Sequence, residues 1–120
     1  MEMEKIIDSN KESLIIPDGV VVIGKNKQII VFNEAASRIT GYTEDEIIDR
    51  TYELIFKNIK DDKKYIDESL NNDISFSNLS INISDINGKS KNVLASITPI
   101  KRDGEVLSVV FVFRDTKEML

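Results

Sequence analysis

The stretch DGVVVIGKNKQIIVFNEAASRITGYTEDEIIDR, residues 18–50, changes its hydrophobic pattern once, and that change decides the fold. Its first half contains two runs rich in β-branched residues, at 20–23 and 28–32, which flank a polar turn at 25–27. Two such runs around a short polar turn predict a β-hairpin. Asp18-Gly19 is typical of a turn that leads into such a hairpin.

The second half of this stretch predicts two short helices. Asn33 is a favourable N-cap for the segment EAASRIT, and Gly41 is suited to end that helix. Thr43 and Glu46 have the spacing of a capping box, in which each side chain bonds the backbone N–H of the other residue. The apolar pair Ile47-Ile48 follows, as expected for a helix that begins at this box.

Two further helical segments follow. Residues 51–56, TYELIF, form a strongly apolar turn of helix, and Ile59, Ile66 and Leu70 mark one face of a helix over about residues 60–71. Four short helices in so little sequence predict a layer that covers one face of a sheet.

The C-terminal third predicts three strands, separated by the turns DING and RDGE. Residues 78–84 alternate between polar and apolar side chains, which indicates a half-exposed strand. The next strand is expected over 91–100, with Pro99 near its end, and the last over 106–114. The last strand, VLSVVFVF, is apolar on both faces, so we expect the sheet to be covered on both faces.

Both termini carry helix signals. Met3, Ile7, Asn10 and Leu14 are spaced as one face of a short amphipathic helix over 3–14, which Pro17 ends. The same spacing fits a seam between two helices, so contact with its own domain and contact with a partner both stay open. At the other end, Asp115 can accept a hydrogen bond from a backbone N–H two or three residues on, and Glu118 can bond back to the N–H of Asp115.

Composition excludes several classes of site. The chain of 120 residues has the length of one domain, and it contains no Cys and no His. Disulfides, thiolate nucleophiles, zinc sites of the Cys/His type and imidazole bases are therefore excluded. The net charge of −5, without a basic stripe, argues against nucleic-acid binding. There is no membrane-spanning run and no secretory signal, so we expect no membrane contact and a cytoplasmic location.

The order of these elements resembles that of the PAS domain. The match includes Asp18-Gly19, the phrase FNEAA at 32–36, TGY at 40–42 and EII at 46–48, and then ITPIKRDGEVLSVVFVFRDTKE at 97–118. It covers about residues 5–118. The resemblance implies an α+β protein with the PAS fold. In this fold a five-stranded antiparallel sheet has short helices on one face, and the N-terminal amphipathic helix is expected on the other.

The chain departs from the family pattern in two turns. The first hairpin usually carries Asp-Gly, where this chain has Asn26-Lys27, and the family often has Gly before the arginine at position 50, where this chain has Asp49. We expect neither change to alter the fold, because both positions lie in turns.

The resemblance also implies how the chain is divided. Residues 1–17 would form a flanking helix used in dimerisation, residues 18–115 the PAS core, and residues 116–120 the truncated start of a C-terminal signalling helix. In the family an Asp-x-Thr ending leads into such a helix, and we expect the signal to leave through Asp115, Thr116 and Glu118. An effector domain would then follow beyond residue 120, although a native single-domain protein stays the alternative.

The cofactors known in the family require residues that this chain lacks. Heme-binding members use a His ligand, and the flavin photosensors use the Cys of an Asn-Cys-Arg-Phe-Leu stretch, which resembles Thr51 to Ile55 here. We therefore expect no metal and no cofactor, and non-covalent flavin stays open. An unknown small apolar ligand and a core without any ligand are the two remaining interpretations.

By the same resemblance, two sets of residues are candidates for function. The pocket candidates, which would face one another across the interior, are Val21, Ile23, Ile39, Tyr42, Tyr52, Ile55, Ile66, Leu70, Ala95, Ile97, Val109, Phe111 and Phe113. The candidates for a homodimer surface are Ile6, Ile7, Val20, Val22, Leu94, Val110 and Val112. Burial of such side chains contributes about 1.5–3 kcal/mol each, which explains the first set without a ligand.

The sequence features and the resemblance leave three kinds of function to compare. The favoured one is a sensory and dimerisation module of a bacterial histidine kinase, sigma-factor-dependent transcription activator or diguanylate cyclase. The alternative is a constitutive interaction module with no ligand of its own. An enzyme is disfavoured, because the carboxylates at 44–46 are explained by a capping box and no nucleophile–base arrangement is visible.

Overall fold

The computed structural model describes residues 18–119, and the predicted helix over 3–14, with Ile6, Ile7 and the division 1–17, lies outside them. The described residues form five strands, three α-helices and two 3₁₀ helices. The strands are β1 Gly19–Gly24, β2 Ile29–Phe32, β3 Phe76–Ser84, β4 Ser90–Arg102 and β5 Glu105–Asp115. The helices are α1 Glu34–Thr40, α2 Glu44–Ile47 and α3 Lys64–Asn72, with 3₁₀ helices at Tyr52–Phe56 and Thr116–Glu118.

All five strands form one antiparallel sheet in the order β2-β1-β5-β4-β3, which confirms the predicted fold class. The last strand, β5, lies at the centre between β1 and β4. The register pairs Val21 with Phe111 on one side, and Phe111 with Ile97 on the other. Side chains alternate along each strand, so these three residues share one face of the sheet.

The helices lie on this inner face, and their ends form as the sequence predicted. The Asn33 side chain accepts hydrogen bonds from the N–H of Ala36 and of Val20, both at 2.9 Å, so one amide caps α1 and ties it to β1. Gly41 ends α1 in a left-handed conformation with φ of 88°, which a residue with a Cβ rarely adopts. The capping box of Thr43 and Glu46 is formed at α2.

Helix α3 begins at Lys64, four residues later than predicted. The residues before it form turns, and there the Asp62 carboxylate accepts a hydrogen bond of 2.7 Å from the N–H of Asn82 in the edge strand β3. An edge strand otherwise leaves such an N–H without a partner. The residues before α3 therefore bond the edge strand of the sheet instead of extending the helix.

Pro99 lies inside β4 rather than near its end, at a position where a missing donor is tolerated. It pairs with Val109 of β5, whereas the pairing of β4 with β3 reaches only as far as Ile97. None of the described strands therefore neighbours β4 on that side at Pro99.

The two departures from the family pattern are the basis of a stability prediction. Lys27 and Asp49 both have positive φ, 70° and 71°, which is unfavourable for residues other than glycine. We expect Lys27→Gly and Asp49→Gly each to raise the free energy of unfolding by about 0.5–1 kcal/mol, the smaller gain being at Asp49 because Asp tolerates this region better. Urea unfolding measures the change.

Asn26→Gly is the matched control for this prediction. It lies in the same turn without positive φ, so glycine there should only increase the freedom of the unfolded chain and leave stability equal or lower. A gain at Asn26 as large as that at Lys27 would contradict the explanation by backbone strain.

Candidate functional site

The pocket candidates converge in the interior between the helices and the sheet. Those that are fully buried there are Val21, Ile23, Ile39, Tyr52, Ile55, Ile66, Ala95, Ile97, Val109, Phe111 and Phe113. Tyr42 and Leu70 are partly buried and pack against the same cluster. The resemblance to the PAS domain is what predicted that these residues of the sheet and of the helices would face one another.

Sequence reasoning missed further members of this cluster. They are Ile29, Phe32, Ala36, Ile47, Phe56, Ile81, Ile83 and Val93. The alternation of polar and apolar residues in β3 pointed to two of them, since Ile81 and Ile83 occupy its apolar positions. The most consequential of them is Phe56, because its ring reaches the sheet.

A row of aromatic rings crosses the interior. Tyr52 meets Phe56 edge to face with centroids 6.0 Å apart, Phe56 stacks on Phe111 at 6.0 Å, and Phe111 lies 4.8 Å from Phe113. Such contacts stabilise the packing beyond the area that they bury. The row connects the 3₁₀ helix at Tyr52–Phe56 with the central strand, so a displacement of either would move the other.

The hydroxyl of Tyr52 is the polar end of this row. Tyr52 is fully buried and donates a hydrogen bond to the Asp67 carboxylate of α3. Lys63 lies 3.3 Å from Asp67 and 3.3 Å from Glu53, so the carboxylate is held by a small charged network. Burial, together with the Asp67 carboxylate, raises the pKa of the Tyr52 hydroxyl well above its usual range. Tyr52 therefore acts as a neutral donor at physiological pH.

Ser69 is a second polar group in the interior. Its side chain is fully buried on α3, and within residues 18–119 its hydroxyl has no hydrogen-bond partner. A buried hydroxyl without a partner is destabilising. Sequence patterns do not indicate such a group, because a serine in a helix normally faces solvent or bonds the preceding turn.

No cysteine is available for a flavin–thiol adduct, and the position that resembles the reactive cysteine holds Tyr52. Its side chain packs in the aromatic row and its hydroxyl is bonded to Asp67. Within residues 18–119 there is also no cluster of three or more potential metal-ligating Cys, His, Asp or Glu residues. No helix in this part of the chain is long and apolar enough to cross a bilayer.

The outer face of the sheet carries four of the five described dimer candidates as one patch. Val20 pairs with Val112 and Val22 with Val110, and all four are half-buried. Val31 extends the patch opposite Val22 and is 45% exposed, although sequence reasoning did not include it. Leu94 pairs with Arg114 rather than with a valine, and the polar residues Ser96 and Thr98 follow it on the same face of β4. We call Val20, Val22, Val31, Val110 and Val112 the valine patch.

The C-terminal turn, Asp115 to Glu118, and the residue before it are tied to the sheet. The Asp115 side chain accepts a hydrogen bond of 2.9 Å from the N–H of Lys117, which confirms the predicted cap. The Thr116 hydroxyl donates to the carbonyl of Asn92 in β4 at 3.2 Å. Just before the turn, Arg114 forms an ion pair of 2.7 Å with Asp18, which joins the end of β5 to the start of β1.

The predicted hydrogen bond from Glu118 back to the N–H of Asp115 is not formed, whereas the place of Glu118 in the signal exit stays a prediction. Its carboxylate forms an ion pair of 2.6 Å with Arg38 of α1 instead of bonding back to the N–H of Asp115. Asp115 itself is the last residue of β5 and pairs with Val93 of β4. The turn is therefore linked to the helical layer as well as to the sheet.

Comparisons with known proteins identify this architecture. Residues 17–118 match the sequence profile of the PAS domain. No curated protein sequence matches. Solved structures agree on the fold at low sequence identity, as three examples show.

A PAS domain from Colwellia psychrerythraea is 16% identical, with a TM-score of 0.71 over 92% of this chain and 96% of that one. An RNA-binding light-oxygen-voltage receptor is 16% identical, with a TM-score of 0.73 over 98% of this chain and 33% of that one. The LOV domain of a blue-light activated histidine kinase from Erythrobacter litoralis is 15% identical, with a TM-score of 0.70 over 84% and 97%. By its sequence match and its fold, the chain belongs to the PAS domain family.

Proposed function

We propose that this chain is a cytoplasmic sensory and dimerisation module of a bacterial signalling protein, within a family whose domains in general sense signals and are not themselves catalytic. The module passes a change in its interior or at its dimer surface through β5 to a C-terminal output domain. That output domain is a histidine kinase of a two-component system, a sigma-factor-dependent transcription activator or a diguanylate cyclase.

The position of β5 is the observation that carries this proposal. Phe111 and Phe113 face the interior, Val110 and Val112 face the other side, and Asp115 caps the turn that follows. A shift of this one strand therefore changes the core, the outer face and the exit together. Signalling requires two arrangements whose balance an input can alter, and a strand with all three contacts meets that need.

The valine patch supports a homodimer. Five apolar side chains lie together on a face that no described helix covers, and a contiguous apolar patch of this kind is typical of an interaction surface. A second copy, with or without the segment 1–17, would remove these valines from water.

Introducing a charge into this patch tests the dimer. We expect Val112→Asp to convert a dimer into a monomer in sedimentation velocity, because a carboxylate at the interface loses its hydration without gaining a partner. Ile74→Asp is the control, since Ile74 is an exposed apolar residue in the loop between α3 and β3. An unchanged Val112→Asp dimer, or a parent chain that is already monomeric, would refute the dimerisation part.

The packing of the interior also favours the alternative, a constitutive interaction module without a ligand. The rings of Tyr52, Phe56, Phe111 and Phe113 fill much of the space between the layers, where a ligand would have to lie. Native mass spectrometry of the purified chain distinguishes the two. A co-purified small molecule supports the sensory module, and its absence together with an intact dimer supports the constitutive one.

A further inference from the structure

A pocket of about 220 Å³ lies beside the C-terminal turn, between the residues at the start of β4 and the turn itself. Its lining consists of Lys89, Ser90, Lys91, Asn92, Asp115, Thr116 and Lys117. Three lysines therefore surround a small pocket in a protein whose net charge is −5.

The positive charge of this pocket is largely uncompensated. Lys89 and Lys117 form no ion pair within the described part of the chain, and Lys91 approaches the Asp115 carboxylate only to 4.0 Å. Among the lining residues in the described part of the chain, Asp115 alone is acidic, and one of its oxygens is already bonded to the N–H of Lys117. The nearby Asp85 is bonded to the N–H groups of Asn87 and Lys89.

We propose that this pocket binds a phosphate group as the dianion. Lysine is a usual partner for phosphate, to which it presents a compact charge with three donors. Three lysines opposed by one carboxylate match the charge of a dianion, and the hydroxyl of Ser90 adds a further polar group to the lining. The group is either free phosphate or the terminal phosphate of an ester.

The position of the pocket gives binding a structural consequence. Lys91 belongs to β4, whereas Lys117 belongs to the turn through which the chain leaves the domain. In the described structure, the hydroxyl of Thr116 already bonds the turn to β4, through the carbonyl of Asn92. A phosphate held between Lys91 and Lys117 would fix the turn against the sheet more firmly, independently of any ligand in the interior.

The test is a titration of the ¹⁵N-labelled chain with inorganic phosphate and with glycerol 2-phosphate, followed by amide shifts. We expect saturable shifts at 89–92 and 115–117 with a midpoint at about 1 mM or below. Saturable shifts with inorganic phosphate but not with glycerol 2-phosphate identify the free anion as the ligand. Saturable shifts with both compounds show that a phosphate ester is also accepted. Shifts that sodium chloride reproduces at equal ionic strength would overturn the proposal.

Two variants locate the site. Lys89→Gln and Lys117→Gln remove a charge without breaking an ion pair of the described structure, so folding should be unaffected, and each should weaken binding on the order of fivefold. Lys57→Gln is the control, because Lys57 is exposed, has no ion pair in residues 18–119 and does not line the pocket. Equal affinities in all three variants would overturn the assignment to this pocket.

Discussion

Replacing Gly19 with alanine is expected to lower the free energy of unfolding by about 2–3 kcal/mol, as overpacking of a filled core does. A Cβ at this position would lie 2.6 Å from Cζ and 2.8 Å from Cε2 of the Phe113 ring. That ring is fully buried and lies 4.8 Å from the ring of Phe111, so it has little room to move away. Urea unfolding of the two proteins measures the difference.

Gly24→Ala is the matched control, at the other end of the same strand. A Cβ there meets its nearest atom, Cδ1 of Ile30, at 3.6 Å, which is an ordinary contact. Its stability should stay within about 0.5 kcal/mol of the parent. The double variant Gly19→Ala with Phe113→Leu should be less destabilised than the sum of its single changes, since the smaller side chain gives way. Strict additivity would show that the ring is not what opposes the new methyl group.

The sequence was informative wherever one local rule determined the result. Asn33, the box of Thr43 and Glu46, and Gly41 act through bonds or backbone angles within a few residues, and each forms as expected. The start of α3 was missed because Asp62 bonds the N–H of Asn82, twenty residues away. The partner of Glu118 was missed for the same reason, since Arg38 lies eighty residues away in sequence.

The candidate site shows the same limit. Alternation was enough to assign Phe111 and Val112 to opposite faces of β5. It could not show that Phe56 stacks on Phe111, because the contact depends on how the 3₁₀ helix at Tyr52–Phe56 is placed over the sheet. Val31 was not among the predicted residues, although it pairs with Val22 before the register of β1 and β2 shifts between Val22 and Ile23.

Raising the pH above about 10 is expected to destabilise the protein steeply through Tyr52. In the unfolded chain this tyrosine ionises near pH 10. In the folded chain burial and the Asp67 carboxylate raise its pKa, so the folded state keeps the proton. The unfolded state then binds fewer protons, and the free energy of unfolding falls by about 1.4 kcal/mol per pH unit for this group. Below pH 10 the group has no such effect, because both states are protonated.

Tyr52→Phe isolates this contribution. At neutral pH the variant should lose about 1–2 kcal/mol, since the hydrogen bond to Asp67 is gone. Between pH 10 and 12 its stability should fall less steeply than that of the parent, by the slope of one proton. The remaining slope comes from groups such as Lys63, whose pKa is raised by hydrogen bonds to Glu53 and Asp67 and whose stabilisation is lost as it deprotonates.

Tyr42→Phe is the control for the alkaline slope. Burial also raises the pKa of Tyr42, but this side chain is only partly buried and the structure shows its hydroxyl without the carboxylate bond that Tyr52 has. The variant should therefore keep most of the parent's decline above pH 10. If Tyr52→Phe and the parent lost stability in parallel over this range, the Tyr52 hydroxyl would have to ionise as easily inside the fold as in water, and the aromatic row would have to be open to solvent at that end.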